Sequence, residues 1–244
     1  MPEHDPTAYG DKVANRYDSL YGDSAETRAA VDRLAALAGD GPVLELGIGT
    51  GRLAIPLMER GLEVHGIEAS QEMVRALAQN AGAAEIPVWL GDFVSTTTEH
   101  RYPLAVLAFN TIFAPASQQE QVRCFANVAA HLKPGGRFVV EAYVLTAGDL
   151  APGWHMRPRT VQDDAVELQI GSYDGAEQRM SRVLVHLSDG GVNVHAATDR
   201  YASPGELDLM AELAGLRREA RWAGWSGETF TAASDRHVSV YERP

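Results

Sequence analysis

Five short apolar segments alternate with helical patterns between residues 43 and 144, and this alternation narrows the choice of fold more than any other feature. Strands that are apolar along their whole length must be covered on both faces, and helices between consecutive strands permit parallel pairing. The expected fold class is therefore α/β, with a doubly wound, mostly parallel, Rossmann-like sheet. The predicted strands are Val43–Leu46, Val64–Ile67, Val88–Leu90, Leu104–Phe109 and Phe138–Val144.

Capping residues and turn residues mark the helices between these strands. Asp23 predicts the start of a first helix, and Ser70 predicts the start of another. Two further helices are expected over Leu53–Met58 and Gln118–Leu132. Lys133–Gly136, which precedes the fifth strand, has the composition of a turn.

The pattern changes after about residue 145, where segments with strand composition are separated by only a few residues. Short turns of this kind join antiparallel strands, so we expect an antiparallel β cap inserted after the fifth strand. The predicted cap strands are Val166–Ile170, Arg179–Leu187 and Val192–Ala197.

The end of the chain returns to the core pattern. Ser203–Glu206 has the sequence of a capping box, and Gly215 predicts the end of that helix. Two strands, Arg218–Trp222 and Val238–Tyr241, would bring the main sheet to seven. The expected division is an N-terminal lid (1–22), a binding core (23–145), the cap (146–202) and a C-terminal part that completes the core (203–244).

Composition excludes several classes of function. Lysine and arginine number 21 against 33 aspartates and glutamates, a formal net charge of −12, so no global field favours nucleic acid. Cys124, the single cysteine, excludes an internal disulfide and a cysteine-rich zinc site, and we expect it to pack within a helix. No metal site is expected. The polar N-terminus and the lack of an apolar run of ~20 residues favour a cytoplasmic protein without membrane contact.

The most informative motif runs from Glu45 to Arg52 with the sequence ELGIGTGR, between a strand and a helix. Glycines there permit a tight turn and let a ligand approach the bare main chain, while the helix N-terminus favours an anionic group. A dinucleotide site would need G-x-G-x-x-G, which puts glycine at the position of Arg52. In this chain the third glycine, Gly51, comes one residue early.

This E-x-G-x-G-x-G pattern resembles motif I of the class I S-adenosylmethionine-dependent methyltransferases. Three later stretches extend the resemblance in the same order: Gly66–Ser70 at the second strand, Gly91–Phe93 after the third, and Leu132–Phe138 before the fifth. The resemblance covers about residues 43–144, and the final helix and two strands also suit this family.

The resemblance implies a site for S-adenosylmethionine, whose product is S-adenosylhomocysteine. Glu45 would face the methionine amino group, Glu68 would bind the ribose hydroxyls, and Asp92 would accept a hydrogen bond from the adenine amino group. The full set of cofactor residues that it implies is Glu45, Gly47, Gly49, Gly51, Glu68, Ala69, Met73, Asp92, Phe93 and Phe109.

The methyl acceptor is less well defined by the sequence. Asn110 matches only the first position of the D/N-P-P-Y motif, which counts against methylation of nucleic-acid adenine or protein glutamine. The stretch RYDSLY at residues 16–21 resembles the N-terminal lid of small-molecule N-methyltransferases. Candidate acceptor-binding residues are Tyr17, Tyr21, Asn110, Phe113, Tyr143 and Trp154. The candidate general bases are His155 and His195.

The predicted function is methyl transfer from S-adenosylmethionine to a small molecule, with nitrogen favoured over oxygen. The C-terminal segment resembles actinobacterial natural-product methyltransferases, including peptide α-N-methyltransferases, so the acceptor is a small molecule or a short peptide. Three alternatives stay open: a peptide α-N-methyltransferase, a nicotinamide-dependent dehydrogenase, which Arg52 opposes, and a non-catalytic S-adenosylmethionine-binding regulator. The chain is expected to be a monomer or a homodimer.

Overall fold

The computed structural model describes Thr7, Gly10, Asp11, Ala14 and residues 24–244. The predictions made for Tyr17, Tyr21 and Asp23 lie outside the described residues. The helices are α1 (Ala25–Ala38), α2 (Ala54–Glu59), α3 (Gln71–Gln79), α4 (Gln118–His131) and α5 (Pro204–Leu213). The strands are β1 (Val43–Leu46), β2 (Val64–Glu68), β3 (Val88–Leu90), β4 (Tyr102–Leu107), β5 (Leu132–Tyr143), β6 (His155–Val161), β7 (Ala165–Asp174), β8 (Arg179–Ser188), β9 (Gly191–Arg200), β10 (Arg217–Trp222) and β11 (Arg236–Glu242).

The central sheet has seven strands in the order β10-β11-β5-β4-β1-β2-β3. Strands β1 to β5 pair in parallel, while β11 is antiparallel to β5 and β10 is antiparallel to β11. The predicted doubly wound sheet is confirmed. Because the carboxyl ends of β1, β2, β4 and β5 meet at one edge, the loops that follow them share one crevice.

The core has two layers, one on each face of this sheet, because consecutive side chains of a strand point to opposite faces. On β1, Leu44 packs with the layer that contains Phe125 and Phe138, and Val43 packs with the layer that contains Leu34. Cys124 is fully buried in the first of these layers, as the helical spacing around it predicted.

The cap is a separate antiparallel sheet of four strands in the order β6-β7-β8-β9. The sequence predicted three of them and missed β6, whose arginines and Pro158 hide its alternation. The face of this sheet that carries Tyr173 and Asp199 contacts the core: the Tyr173 ring lies 6.2 Å from that of Tyr201, and Asp199 accepts a hydrogen bond from Tyr143. We call this the inner face, and the opposite one the outer face.

The predicted helix caps and turns are confirmed at some positions and differ from the structure at others. Ser70 caps α3 as predicted, by accepting the N–H of Met73 at 3.1 Å. The first helix is capped by Ser24, whose hydroxyl accepts the N–H of Thr27 at 3.0 Å. The predicted turn at Lys133–Gly136 falls within the bounds of β5, where it bulges out, since the register with β4 jumps from Leu132 to Arg137.

At α5, Ser203 accepts the N–H of Glu206 as predicted, but the Glu206 carboxylate pairs with the buried Arg200 instead of closing the capping box. Within the described part of the chain, no helix is long and apolar enough to cross a membrane.

Candidate active site

The glycine loop after β1 exposes its main chain at the crevice. Gly47, Gly49 and Gly51 have φ values of +67°, +56° and +92°, in the left-handed region that favours glycine. The N–H of Gly47 donates to the carbonyl of Ile67 at 2.8 Å and ties the loop to β2. A Cβ at Gly51 would lie 2.6 Å from Leu77 Cδ1, whereas at Gly49 the nearest atom would be 4.0 Å away. The loop is therefore closely packed against α3 at Gly51 and open at Gly49.

The Glu68 carboxylate stands at the end of β2, directly against this loop. Its Oε2 accepts the N–H of Gly49 at 2.9 Å, and its Oε1 accepts the N–H of Ser70 at 2.9 Å. Burial raises the pKa of Glu68, and these two backbone hydrogen bonds oppose that rise. Each carboxylate oxygen has a second lone pair, so the group can still accept hydrogen bonds from ribose hydroxyls.

Glu45 is a buried acid, 5 % exposed, in the middle of the β1 strand that leads into the glycine loop. Among the described residues, its Oε2 has no hydrogen-bond partner. Burial raises the pKa of Glu45 from 4.5 to about 8, although the nearby Arg52 guanidinium lowers it in part. A buried acceptor without a partner requires an explanation, and the ammonium group of an amino-acid ligand would provide the missing charge-assisted bond. The residues present therefore fit the methionine end of S-adenosylmethionine.

The predicted adenine side follows β2 and β3. The N–H of Gly91 donates to the carbonyl of Glu68 at 2.8 Å, which places the next residue, Asp92, beside the end of β2. Asp92 Oδ1 accepts the N–H of Val94 at 2.9 Å. The carbonyl of the buried Phe93 accepts a hydrogen bond from Asn127 at 2.9 Å.

Met73 and Ala69 border the same region. Met73 is buried and packs against Ala14, while Ala69 is half-buried. The N-terminal segment therefore reaches the place where the resemblance puts the adenine wall. A hydrogen bond of 2.7 Å from Ser70 Oγ to Asp11 adds to that contact.

The turn after β4 has an unusual backbone. Phe109 and Asn110 are consecutive residues with side chains and have φ values of +57° and +68°. The N–H of Phe109 donates to Glu141 Oε2 at 2.8 Å, and the N–H of Tyr143 donates to Asn110 Oδ1 at 2.7 Å. The other Glu141 oxygen accepts from Trp225 Nε1 at 2.8 Å. Sequence reasoning missed Glu141, although an acid inside an otherwise apolar predicted strand was a usable signal.

Arg52 connects the glycine loop to this turn. Its guanidinium carbon lies 4.7 Å from the centre of the Phe109 ring, and its Nη1 donates to Thr27 Oγ1 at 3.3 Å. Its charge lowers the pKa of both Glu45 and Glu141, against the larger effect of burial. In the sequence, Arg52 served only as evidence against a dinucleotide site. In the structure, its side chain lies inside the candidate site.

Aromatic rings form the junction between core and cap. Tyr143 and Tyr201 stack with centroids 5.9 Å apart and 11° between their planes. Phe113 lies 4.7 Å from Tyr143 and 5.3 Å from Tyr201, and it is fully buried. Phe113 packs behind these rings with no exposed surface, and its contact with the acceptor stays a prediction. The Tyr143 hydroxyl donates to Asp199 at 3.3 Å, and Asp199 is paired with Arg182.

The two predicted bases lie on the inner face of the cap, but not together. His155 begins β6, and its Nε2 lies 2.8 Å from the carbonyl of Ala151, so this nitrogen donates. His195 lies on β9, and the register places it on the same face as Asp199. Because β7 and β8 separate them and the register offsets them by two residues, the two histidines are roughly 16 Å apart and cannot act as a pair. Trp154 is 64 % exposed.

No group of three or more His, Cys, Asp or Glu within the described ranges could hold a metal ion. The site therefore consists of the glycine loop, the carboxylates Glu45, Glu68, Asp92 and Glu141, and the Phe109–Asn110 turn, with the inner face of the cap opposite. A buried carboxylate with one oxygen lacking a partner, beside bare backbone, can hold a zwitterionic amino-acid group, and the acids at the end of β2 and after β3 can accept from sugar and base.

Comparison with known proteins agrees with this geometry. The family model described as "Methyltransferase domain" matches residues 43–136. The CcbJ methyltransferase of Streptomyces caelestis has 40% sequence identity and a TM-score of 0.90, over 98% of this chain and 99% of that one. A cypemycin N-terminal methyltransferase of a Streptomyces species is 27% identical over 98% of this chain and 99% of its own length.

A more distant structure shares the fold. CalS10, an amino pentose methyltransferase of Micromonospora echinaspora solved with S-adenosylmethionine bound, has a TM-score of 0.73 and 19% identity, over 93% of this chain and 96% of that one. The full-length match at 40% identity sets aside the dehydrogenase alternative. The chain belongs to the class I S-adenosylmethionine-dependent methyltransferases.

Proposed function

We propose that this enzyme methylates an amine nitrogen of a small molecule in natural-product biosynthesis. The observation that carries the proposal is the aromatic junction next to the Phe109–Asn110 turn: Tyr143, whose N–H donates to Asn110 Oδ1, stacks on Tyr201, and its hydroxyl donates to Asp199, which is paired with Arg182. Aromatic faces and acidic groups suit a cationic or amphipathic acceptor. One relative is named as an N-terminal methyltransferase, and a structural neighbour as an amino pentose methyltransferase.

For the cofactor, we propose that Glu45 holds the ammonium group, Glu68 the ribose and Asp92 the adenine. S-adenosylmethionine supplies an electrophilic methyl group on a sulfonium. The protein then has to bind the acceptor, exclude water and align the nitrogen, which is where the rate of such a reaction is gained. The unpaired Oε2 of Glu45 supports the first of these roles.

An amine needs no strong base once it is deprotonated, whereas an alcohol or a phenol would need one. Burial raises the pKa of Tyr143 far above its usual range, and Asp199 raises it further, so this phenol stays protonated near neutral pH. His155 and His195 remain the candidate bases, each acting alone. This distribution of groups favours nitrogen over oxygen.

A second candidate acceptor is the N-terminal amine of a short peptide. The full-length relationship to a cypemycin N-terminal methyltransferase is the observation that favours it. The same aromatic and acidic lining would receive a peptide amine.

We also propose a homodimer formed through the outer face of the cap. The middle of this face is aliphatic, with the charged Asp174, Arg179 and Arg200 only at one end, and four of its side chains are 65–70 % exposed: Met156, Val161, Val192 and Val194. Four strands at ~4.8 Å spacing and ten residues at ~3.3 Å give a footprint of about 600 Å². This footprint is at the lower end of the ~600–1,000 Å² that each partner contributes to a stable interface, and the aliphatic part of the face brings no like charges together. The aliphatic residues that the register places there are Met156, Val161, Val166, Leu168, Ile170, Val183, Val185, Leu187, Val192 and Val194.

Sedimentation equilibrium tests the homodimer. The wild-type chain should have twice the monomer mass, and Val185→Lys should have the monomer mass, while the exposed-turn variant Glu177→Lys stays dimeric. A wild-type monomer at micromolar concentration would contradict the proposal.

The acceptor is tested with methyl-labelled S-adenosylmethionine and three probes: an amino sugar, a peptide with a free N-terminus and a phenol. Mass spectrometry should find the label on an amine and none on the phenol, with Glu68→Ala as the inactive control. Transfer to the phenol without transfer to either amine would overturn the nitrogen assignment.

A further inference from the structure

The Phe109–Asn110 turn holds a conformation that its sequence does not favour. Left-handed φ values are uncommon for residues with side chains, and bulky ones such as phenylalanine adopt them only when the surroundings impose them. Asparagine tolerates this region, but Phe109 does not, and its φ is +57°. Something outside the turn must therefore hold it.

Glu141 does so with its main chain and its side chain. Its carbonyl accepts the N–H of Asn110 at 3.0 Å, and its Oε2 accepts the N–H of Phe109 at 2.8 Å. The second carboxylate oxygen, Oε1, accepts from the indole N–H of Trp225 at 2.8 Å. Both partners of this carboxylate are donors, so only a group with two acceptor atoms satisfies them both.

The turn also borders the glycine loop. A Cβ at Gly47 would lie 3.1 Å from Thr111 Cγ2, just after the turn, and Arg52 covers the Phe109 ring at 4.7 Å. A shift of the turn would therefore change the space beside Gly47, where the amino-acid end of the cofactor is expected.

We infer that Glu141, oriented by Trp225, is a positioning residue that fixes the Phe109–Asn110 turn for cofactor binding. A glutamine at this position would place an amide NH₂ against one of the two N–H donors, and the turn would relax. The inference depends on cofactor binding, which belongs to the family, and not on the identity of the acceptor. Its test therefore gives the same answer whether or not the proposed amine acceptor is right.

The experiment measures S-adenosylhomocysteine binding by calorimetry for wild type, Glu141→Gln, Phe109→Gly and the double variant. Glu141→Gln should bind about tenfold more weakly or worse, which corresponds to about 1.4 kcal/mol. Glycine adopts a left-handed φ without strain, so the turn no longer needs Glu141 in the Phe109→Gly background. There, the added Glu141→Gln change should weaken binding by less than about threefold. Glu219→Gln, an exposed acid paired with Arg137, is the matched control and should bind like wild type.

A role in folding alone would lower the melting temperature and would not be rescued by Phe109→Gly. Unchanged affinity in Glu141→Gln overturns the inference, and so does an equal loss in both backgrounds. Trp225→Phe tests the same point should Glu141→Gln fail to fold. It removes the indole N–H donor and leaves a smaller aromatic ring, and should weaken S-adenosylhomocysteine binding about twofold to fivefold, whereas unchanged binding would overturn the inference.

Discussion

The carboxylate of Glu68 accepts a hydrogen bond of 2.9 Å from the backbone N–H of Gly49 and so joins the end of β2 to the glycine loop. The acid that the family resemblance assigns to the ribose is thus also a support for the loop that would face the methionine end. Loss of this carboxylate would affect both ends of the cofactor site.

Glu68→Ala should weaken S-adenosylhomocysteine binding at least about tenfold, because a charged hydrogen bond contributes about 1.5–3 kcal/mol. Calorimetry on the folded variant measures this effect. Glu59→Ala, which removes an exposed carboxylate at the end of α2, should bind like wild type. Equal affinity in Glu68→Ala would remove the acid from the site.

The raised pKa of Glu45 predicts a pH-dependent stability of the ligand-free protein. Its folded pKa is about 8, against an ordinary value of 4.5, so between these values the unfolded state binds fewer protons. The stabilising contribution of the protonated acid is complete below pH ~4.5 and is lost as the pH rises through ~8. Glu45→Gln should flatten the decline of the unfolding free energy over that range, measured by urea titration at several pH values. An identical decline in both proteins would contradict the assignment.

Ligand binding should release a proton at the same site. An ammonium group beside Glu45 favours its ionised form, so S-adenosylhomocysteine should displace close to one proton at pH 7. The binding enthalpy should then differ between phosphate and Tris buffers by the difference in their ionisation enthalpies. Glu45→Gln should remove that difference, whereas its persistence would mean that another group titrates.

Tyr143→Phe should change the rate of methyl transfer without changing its pH profile. The variant loses the hydrogen bond to Asp199 and keeps the stack with Tyr201, so we expect the initial rate to fall less than about tenfold. The assay uses whichever of the three acceptor probes gains the methyl label in the mass-spectrometric experiment. Tyr173→Phe is the control. A far larger loss, together with a lost basic limb of the profile, would assign proton transfer to Tyr143.

The core could be predicted from the sequence because its constraints are local. Strands β1 and β3 have the predicted bounds, since apolar runs end at turn residues on either side. Strand β6 could not be found, because Pro158 and its neighbouring arginines interrupt the alternation that marks a strand. The glycine loop could be predicted because its residues are contiguous in the sequence.

By contrast, Glu141 and Trp225 are 84 residues apart and meet only through the folded sheet. No local pattern could have joined them. The same holds for Arg52 and Phe109, which lie after different strands and come together at the edge of the sheet. The cofactor-binding residues could thus be predicted from the sequence, whereas the long-range contacts that support them, Glu141 with Trp225 and Arg52 with Phe109, could not.

The N-terminal segment should respond to the cofactor at Gly10. A Cβ at this position would lie 2.5 Å from Ser70 Cβ and 3.0 Å from Met73 Cγ, so Gly10→Ala must displace the segment from α3. Met73 is expected to border the adenine, and a segment that covers it would exclude water from the site.

We therefore expect S-adenosylhomocysteine to slow hydrogen exchange over residues 10–22 in wild type, where Tyr17 and Tyr21 are the predicted acceptor contacts. In Gly10→Ala this protection should be lost and the affinity should fall about threefold or more, with little change in melting temperature. Gly205→Ala is the matched control, because a Cβ there meets no atom within 4 Å. If exchange at residues 10–22 is the same with and without ligand, and Gly10→Ala loses thermal stability in proportion to affinity, the segment is passive packing and not a lid.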